Sequence, residues 1–107
     1  MDVITIKEIT EHTSDYSDGE VTFQKINDYL TKEEVVAVSF EGLSAVTSAF
    51  INSALIRLLE YHSYEKIKRL LKVINSTRAI NETIIERFEF VSKSGQTLQS
   101  KKIIKKS

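Results

Sequence analysis

The stretch V-V-A-V-S-F-E-G-L-S-A-V-T-S-A-F-I-N-S-A-L, residues 35–55, changes from a strand pattern to a helix pattern. Residues 35–40 form a nearly continuous apolar run, which is typical of a central strand covered on both faces. After Thr47 the apolar residues spread over a wide arc of a helix, and they are Phe50, Ile51, Ala54, Leu55, Leu58 and Leu59. This strand–helix pair favours an α/β fold.

The segment before this stretch predicts a strand followed by a helix. Residues 3–9, V-I-T-I-K-E-I, alternate apolar and polar side chains as a half-buried strand does. In S-D-G-E, Ser17 and Glu20 have the spacing of a capping box, and Asp18 is the competing N-cap. The helix that follows has an apolar face formed by Phe23, Ile26 and Leu30.

The segment after the stretch predicts a second strand–helix pair. Residues 69–74, R-L-L-K-V-I, indicate a strand, and N-S-T-R at 75–78 leads into a helix with apolar residues at every fourth position, Ile80, Ile84 and Phe88. The order β-α-β-α-β-α indicates right-handed crossovers and a mostly parallel sheet with helices packed on it. We expect one α/β domain over residues 1–91 and a Lys-rich C-terminal tail over residues 92–107.

The composition excludes several classes of site. The chain has 107 residues, 41% hydrophobic and 28% charged, as expected of one globular domain. Disulfides and thiolate metal sites are excluded because there is no cysteine, and only His12 and His62 could supply imidazole. We expect no metal and no cofactor. No apolar run approaches the roughly 20 residues of a membrane span, and the start lacks a signal-peptide pattern, so we expect a cytoplasmic protein.

Motifs for catalysis are also missing. The sequence has no G-x-x-x-x-G-K-[ST] phosphate loop, no G-x-G-x-x-G dinucleotide motif and no G-x-S-x-G nucleophile elbow, and it has three glycines in all. His12 and His62 are far apart in sequence, and His62 is better explained as a side chain at a helix end. We therefore expect a protein that is not an enzyme and that acts by binding.

The charges are distributed unevenly although the net charge is zero. Residues 1–60 carry four basic and eleven acidic side chains, whereas residues 61–107 carry eleven basic and four acidic ones. The terminal S-K-K-I-I-K-K-S could bind phosphates or an acidic partner. No aromatic residue interleaves these lysines to stack on bases, so nucleic-acid binding by the tail is the weaker interpretation, and a solvated terminus is the simpler one.

The predicted topology brings polar residues from separate loops together. In a parallel sheet, the loops that leave the carboxyl ends of the strands share one edge. The residues expected there are Asp18, Thr47, Ser48, Asn75, Ser76 and Arg78. Arg78 and nearby amides could hold an anion, and the alternative is an ordinary strand–helix connection capped by Ser76 or Thr77. We predict this edge to be the binding site.

The residues at the joint resemble a known family. The run V-A-V-S-F-E-G-L-S-A-V-T-S-A-F-I is similar to the STAS domain pattern, in which an apolar strand is followed by Asp-Ser-Ser-Gly-Leu at the start of a helix. It is more similar still to the STAS-like domain family of unassigned function, whose members carry V-T-S-x-F-I-N at this joint. The resemblance covers residues 3 to about 90 and agrees with the order of elements.

The resemblance implies a regulatory protein. STAS domains include bacterial anti-sigma factor antagonists, which bind a serine kinase of the histidine-kinase-like ATPase class and are released when the first Ser of Asp-Ser-Ser-Gly is phosphorylated. That position is Ser48 in this chain, Thr47 replaces the preceding Asp, and Asp18 resembles the Asp before the first helix. Ala49 and Phe50 replace the second Ser and the Gly.

Two interpretations of the two hydroxyls therefore remain open. Ser48 is a candidate phosphorylation site, or Thr47 is an N-cap and Ser48 only occupies the first turn of the helix. The alternative functions are a small-molecule or nucleotide sensor at the same edge and a nucleic-acid-associated protein that uses the tail.

Overall fold

The chain folds into a three-stranded parallel sheet with helices packed on it. This computed structural model describes the backbone of residues 1–101 and the side chains of residues 1–91. The strands are Asp2–Thr5 (β1), Val36–Ser39 (β2) and Leu71–Ile74 (β3), and they pair in the order β1-β2-β3. The predicted α/β class is confirmed, and the apolar run at 35–40 supplies the central strand.

Helices alternate with the strands throughout the described residues. The α-helices are Ile6–Ile9 (α1), Tyr16–Thr31 (α2), Ser48–Ala54 (α3), Tyr64–Leu70 (α4) and Arg78–Lys101 (α5), and a 3-10 helix, Ile56–Glu60, lies between α3 and α4. The predicted β-α-β-α-β-α order holds when the short helices are grouped with their neighbours.

The start of the chain differs from the expected strand and cap. The strand ends at Thr5, and α1 begins at Ile6, whose side chain is fully buried. The N-cap of α2 is Asp15, so the predicted capping box of Ser17 and Glu20 is wrong. Alternating apolar residues in a short segment cannot separate a strand from a helical turn, and several acidic and hydroxyl residues compete for the cap.

A helix not expected from the sequence precedes β3. Ser63 caps α4 by accepting a hydrogen bond from the Lys66 backbone amide at 3.1 Å, and Ile67 and Leu70 are buried. Leu70 therefore ends this helix, and β3 begins at Leu71 rather than at residue 69. Because two adjacent leucines satisfy both patterns, the sequence alone did not show where the helix ends.

The strands contribute to the main apolar cluster from one face only. Side chains of in-register residues point to the same face, and the core takes the rows that contain Ile4, Val36, Val38 and Leu71. The rows Val3–Ala37–Lys72 and Thr5–Ser39–Ile74 add no side chain to this cluster, although Ala37 and Ser39 are themselves buried. Right-handed crossovers between strands in consecutive order place both connections on the same face, which explains this arrangement. All four residues of β2 are buried, Ala37 and Ser39 on the second face included, as expected of a central strand covered on both faces.

The last helix packs as its pattern predicts. Ile80, Ile84 and Phe88 are buried, with exposed fractions of 8% or less, and the ring of Phe88 stacks on Tyr64 at 5.2 Å. The backbone of α5 continues to Lys101, so it crosses the predicted boundary at residue 91. All of the expected tail, residues 92–107, lies outside the residues whose side chains are described, and its role stays a prediction.

Candidate functional site

Thr47 is the N-cap of α3 and also joins two loops. Its Oγ1 accepts a hydrogen bond from the Phe50 backbone amide at 3.1 Å, which satisfies one of the free amides at the helix start. The same hydroxyl donates to the Ser14 carbonyl oxygen at 2.7 Å. The capping interpretation of Thr47 is therefore confirmed, and the cap also holds the loop between α1 and α2.

Asp18 also binds the loop between α1 and α2, at its backbone amides. Its Oδ2 accepts hydrogen bonds from the backbone amides of Ser14 at 3.2 Å and Asp15 at 2.9 Å. Thr47 and Asp18 thus bind the carbonyl and the amide of one residue, Ser14. The structure brings these two predicted residues together through a segment that the sequence analysis did not select.

Thr77 repeats the arrangement of Thr47 at the next loop. Its Oγ1 accepts from the Ile80 amide at 3.1 Å, and its hydroxyl donates to the Ser44 carbonyl oxygen at 3.1 Å. Capping of α5 by Thr77, one of the two predicted options, is confirmed. The two threonines link three consecutive loops at the carboxyl ends of the strands, a surface that we call the carboxyl edge.

Asn75 lies at the end of β3 and reaches the end of β2. Its backbone has a positive φ of 52°, a conformation that Asn tolerates better than most residues. Its Nδ2 donates to Ser39 Oγ at 3.1 Å, and the same oxygen accepts from the Glu41 amide at 3.2 Å. These bonds make Asn75 part of the loop framework at the carboxyl edge.

Ser48 and Arg78 are exposed members of the predicted set whose side chains do not join the loop framework. Ser48 is the first residue of α3, and its side chain is open to solvent. The Arg78 side chain is 92% exposed and its Nε lies 3.5 Å from Glu82 Oε2, one turn further along α5. Exposed pairs of this kind contribute little to stability, so Arg78 is free to act at the surface. The anion-binding interpretation of Arg78 stays a prediction.

Lys7 is a charged residue at this edge that the sequence analysis missed. A Cβ built on Gly42, whose φ is 83°, would lie 2.9 Å from the Lys7 Nζ atom and 2.9 Å from its Cδ atom. The lysine side chain therefore crosses the turn after β2, where the positive φ favours glycine. The sequence signal was the acidic-Gly turn at residues 41–42, but the residue that covers it comes from α1.

The groups with shifted pKa values lie away from the carboxyl edge. A hydrogen bond to Asp2 raises the pKa of Tyr29, and ion pairs with Lys66 and Arg69 lower that of Glu33. Burial, and then the Lys66 charge, lowers the pKa of His62, whose Nε2 lies 2.7 Å from Asn27 Oδ1. Within residues 1–91, no three His, Asp or Glu side chains are grouped as a metal site requires.

Comparison with known proteins places the chain in a family. None of the helices among the described residues has the length and apolar character needed to cross a bilayer. No curated protein and no solved structure matches the chain. A family model described as STAS-like domain of unknown function (DUF4325) matches residues 18–81, which extend from the first turn of α2 to the first turn of α5. Since this match covers more than half of the chain and contains Thr47, Ser48 and Asn75, the chain belongs to the STAS-like domain family of unknown function.

Proposed function

We propose that this STAS-like domain is a non-enzymatic regulatory module that binds a protein partner at the carboxyl edge. The observation that carries the proposal is the pair of hydroxyl-to-carbonyl bonds from Thr47 to Ser14 and from Thr77 to Ser44, at 2.7 and 3.1 Å. Loops held to one another in this way present a surface of fixed shape, and a fixed surface loses little conformational entropy when a partner docks.

Ser48 is the proposed control point of this surface. It is exposed beside the Thr47 cap and is not needed for the cap hydrogen bond. A phosphate there would add about −1.5 to −2 charges at pH 7, close to a segment that the Asp18 carboxylate already binds. A docked partner would have to desolvate this dianion, so modification should release it. The partner class implied by the resemblance is a histidine-kinase-like ATPase.

The test is a binding series with such an ATPase, chosen from the genes beside this one. Ser48→Asp should weaken binding strongly, whereas Ser48→Ala should bind like the wild type. Thr31→Asp is the matched control, because it makes the same kind of change at an exposed position at the far end of α2. If an interaction is found and Ser48→Asp binds as tightly as Thr31→Asp, the partner does not use this edge.

Phosphorylation itself needs a separate measurement. Incubation with the ATPase and ATP, followed by mass spectrometry of the intact chain and its peptides, should place one phosphate on Ser48. A phosphate found on Thr47 instead would contradict the proposed position, because the Thr47 hydroxyl is engaged with Ser14 and the α3 amides.

A further inference from the structure

The outer edge of β1 borders a groove. Within the described residues, β1 pairs with β2 only, so its other edge has no strand beside it. A cavity of about 380 Å³ is lined by three consecutive β1 residues, Val3, Ile4 and Thr5. Successive side chains of a strand point to opposite faces, so consecutive residues line one cavity only where it runs along the strand edge. The unpaired backbone of β1 therefore faces this groove.

The opposite wall of the groove is one face of α2. The lining residues Lys25, Asp28, Tyr29 and Lys32 follow the spacing i, i+3, i+4 and i+7, and Glu8 and Ile9 of α1 also line the cavity. The Tyr29 hydroxyl donates to Asp2 Oδ2 at 2.6 Å, which holds α2 against the start of β1. We call this space the β1–α2 groove. It is separate from the carboxyl edge, and an inference about it does not depend on the proposed function.

The charges of the groove are not used inside the protein. Among residues 1–91, Lys25, Asp28, Lys32 and Glu8 form no ion pair within 4 Å. The Asp2 carboxylate, which accepts from the Tyr29 hydroxyl, borders the same space, so three acidic and two basic side chains line or border the groove. The excess of acid favours an occupant that carries positive charge.

We propose that the β1–α2 groove binds an extended, basic peptide segment of a partner protein, which joins the sheet as a further strand beside β1. An unpaired strand edge offers backbone donors and acceptors to such a segment, and a groove between an edge strand and a helix gives its side chains a second wall. Val3, half exposed, and Ile9 would contact its apolar side chains, and Asp28, midway along the α2 wall, would face a Lys or Arg.

The direct test uses the full chain and a labelled probe peptide. The probe is an end-capped peptide of alternating Lys and Val, and binding is followed by fluorescence polarisation and by amide NMR shifts. The basic peptide should bind and shift the amides of β1, whereas a Glu–Val peptide should not. N-methylation of alternate backbone amides should abolish binding, because it removes the donors that a new strand needs. Binding that survives N-methylation would overturn the proposal.

Charge reversal in the groove gives the second part of the test. Asp28→Lys should weaken binding of the Lys–Val peptide by about tenfold or more, because like charges in contact cost several kcal/mol and 1.4 kcal/mol is tenfold. Glu86→Lys, on the exposed side of α5, is the matched control and should change the affinity less than about twofold. An equal loss in both variants would mean non-specific attraction and would overturn the proposal.

The proposal would also be overturned if either of two other occupants filled the β1–α2 groove. If sedimentation shows a dimer that Asp28→Lys dissociates, and the free peptide does not bind, a second copy of β1 occupies the groove. Replacing the lysines of the terminal segment, Lys101, Lys102, Lys105 and Lys106, by Ser in the full chain tests the chain's own basic end. If that change raises the peptide affinity about tenfold or more, which corresponds to 1.4 kcal/mol, the terminal segment is the occupant.

Discussion

At the scale of single residues, two threonines do more than cap helices. In Thr47 and Thr77 the hydroxyl oxygen accepts from the helix amide, and the hydroxyl proton goes to a carbonyl of the neighbouring loop. A carboxylate cap could accept but could not donate. Thr47 stands where STAS domains carry Asp, so in this chain the residue before Ser48 links loops in a way that an Asp could not.

The first prediction concerns this double role of Thr47. Thr47→Val keeps the shape of the side chain but removes both hydrogen bonds, and it should lower the free energy of unfolding by about 1–2 kcal/mol. Thr47→Ser retains the hydroxyl and should lose only a fraction of this. Urea unfolding measures both, with Ser48→Ala as the control at an exposed neighbour. Equal losses for Thr47→Val and Ser48→Ala would contradict the assignment of the cap.

The second prediction concerns Phe50, which occupies the position of the STAS glycine. Its side chain is fully buried in the core together with Ala54 and Leu58, which continue the same apolar arc predicted for this helix. Phe50→Ala should cost about 3–5 kcal/mol in denaturant unfolding. Phe90 is 58% exposed with Arg87 over its ring, and Phe90→Ala should cost less than about 1 kcal/mol. Similar losses in the two variants would be inconsistent with a core role for Phe50.

The sequence could identify the residues of the carboxyl edge but not all their partners. Thr47, Asn75 and Asp18 were selected because helix starts and strand ends follow local rules. Ser14, Ser39, Ser44 and Lys7 were not selected, because each contacts a residue more than 25 positions away in sequence. Local patterns carry no information about which distant backbone group a side chain will meet.

At the scale of elements, the close contact of α2 with α3 depends on Gly19. A Cβ at Gly19 would lie 2.9 Å from the Phe50 carbonyl oxygen, 2.9 Å from the Ala54 amide nitrogen and 2.9 Å from Ser53 Cβ. Two of these atoms belong to the backbone and cannot rotate away. Gly19 therefore sets how near α3, the helix that carries Ser48, can approach α2.

The third prediction is that Gly19→Ala destabilises the fold. Alanine normally stabilises a helix relative to glycine by roughly 1 kcal/mol, but here α2 and α3 must move apart. We expect a net loss of about 1–3 kcal/mol in urea unfolding. Gln24→Ala, at an exposed position of the same helix, should change stability by less than about 0.5 kcal/mol. A gain in stability for Gly19→Ala would show that the helices can separate without cost.

The fourth prediction is a dependence of stability on pH through His62. Burial and the Lys66 charge lower its pKa below the ordinary 6.5, while Asn27 Oδ1 lies 2.7 Å from its Nε2. As the pH falls below about 6.5, the unfolded chain binds the proton first, so stability is lost until the pH passes the lower pKa of the folded state. In His62→Gln, the denaturant midpoint of unfolding should change less with pH than in the wild type between about pH 7.5 and 5.5.

The control for this measurement is the other histidine. His12 is exposed, and its side chain makes no hydrogen bond among the described residues. His12→Gln should therefore keep the dependence on pH of the wild type. If His62→Gln and the wild type lose stability equally over this range, the carboxylates rather than His62 control the response.

The order of the main elements could be predicted, whereas the short helices could not. The longer helices can be recognised in the sequence by repeated apolar positions, as in the series Ile80, Ile84 and Phe88. The helix α1 has only four residues, too few for a repeat, and α4 runs directly into β3 at Leu70 and Leu71, which satisfy both patterns. Each depends on contacts made after the chain has folded rather than on its own propensity.

At the scale of the whole molecule, the strand order explains which surfaces remain for binding. Consecutive parallel strands with right-handed crossovers collect the helices on one face, and the core accordingly excludes Val3 and Ile74. The apolar character of β2 could not reveal this, because the side chains on both of its faces are buried, Ala37 and Ser39 included. The carboxyl edge and the β1–α2 groove are thus two separate surfaces of a small domain.

The last prediction concerns the part of the chain after Val91. Inside residues 1–91, the contacts of α5 with the core come from Ile80, Ile84, Phe88 and the partly buried Val91. Truncation after Val91 keeps all four, so the melting temperature should fall by less than about 4–8 °C, the shift expected for 1 kcal/mol in a domain of this size. Truncation after Arg87 also removes Phe88 and should lower it by more, because a buried ring is lost. If the first truncation is as damaging as the second, residues 92–107 supply part of the fold, such as an edge strand or a covering helix.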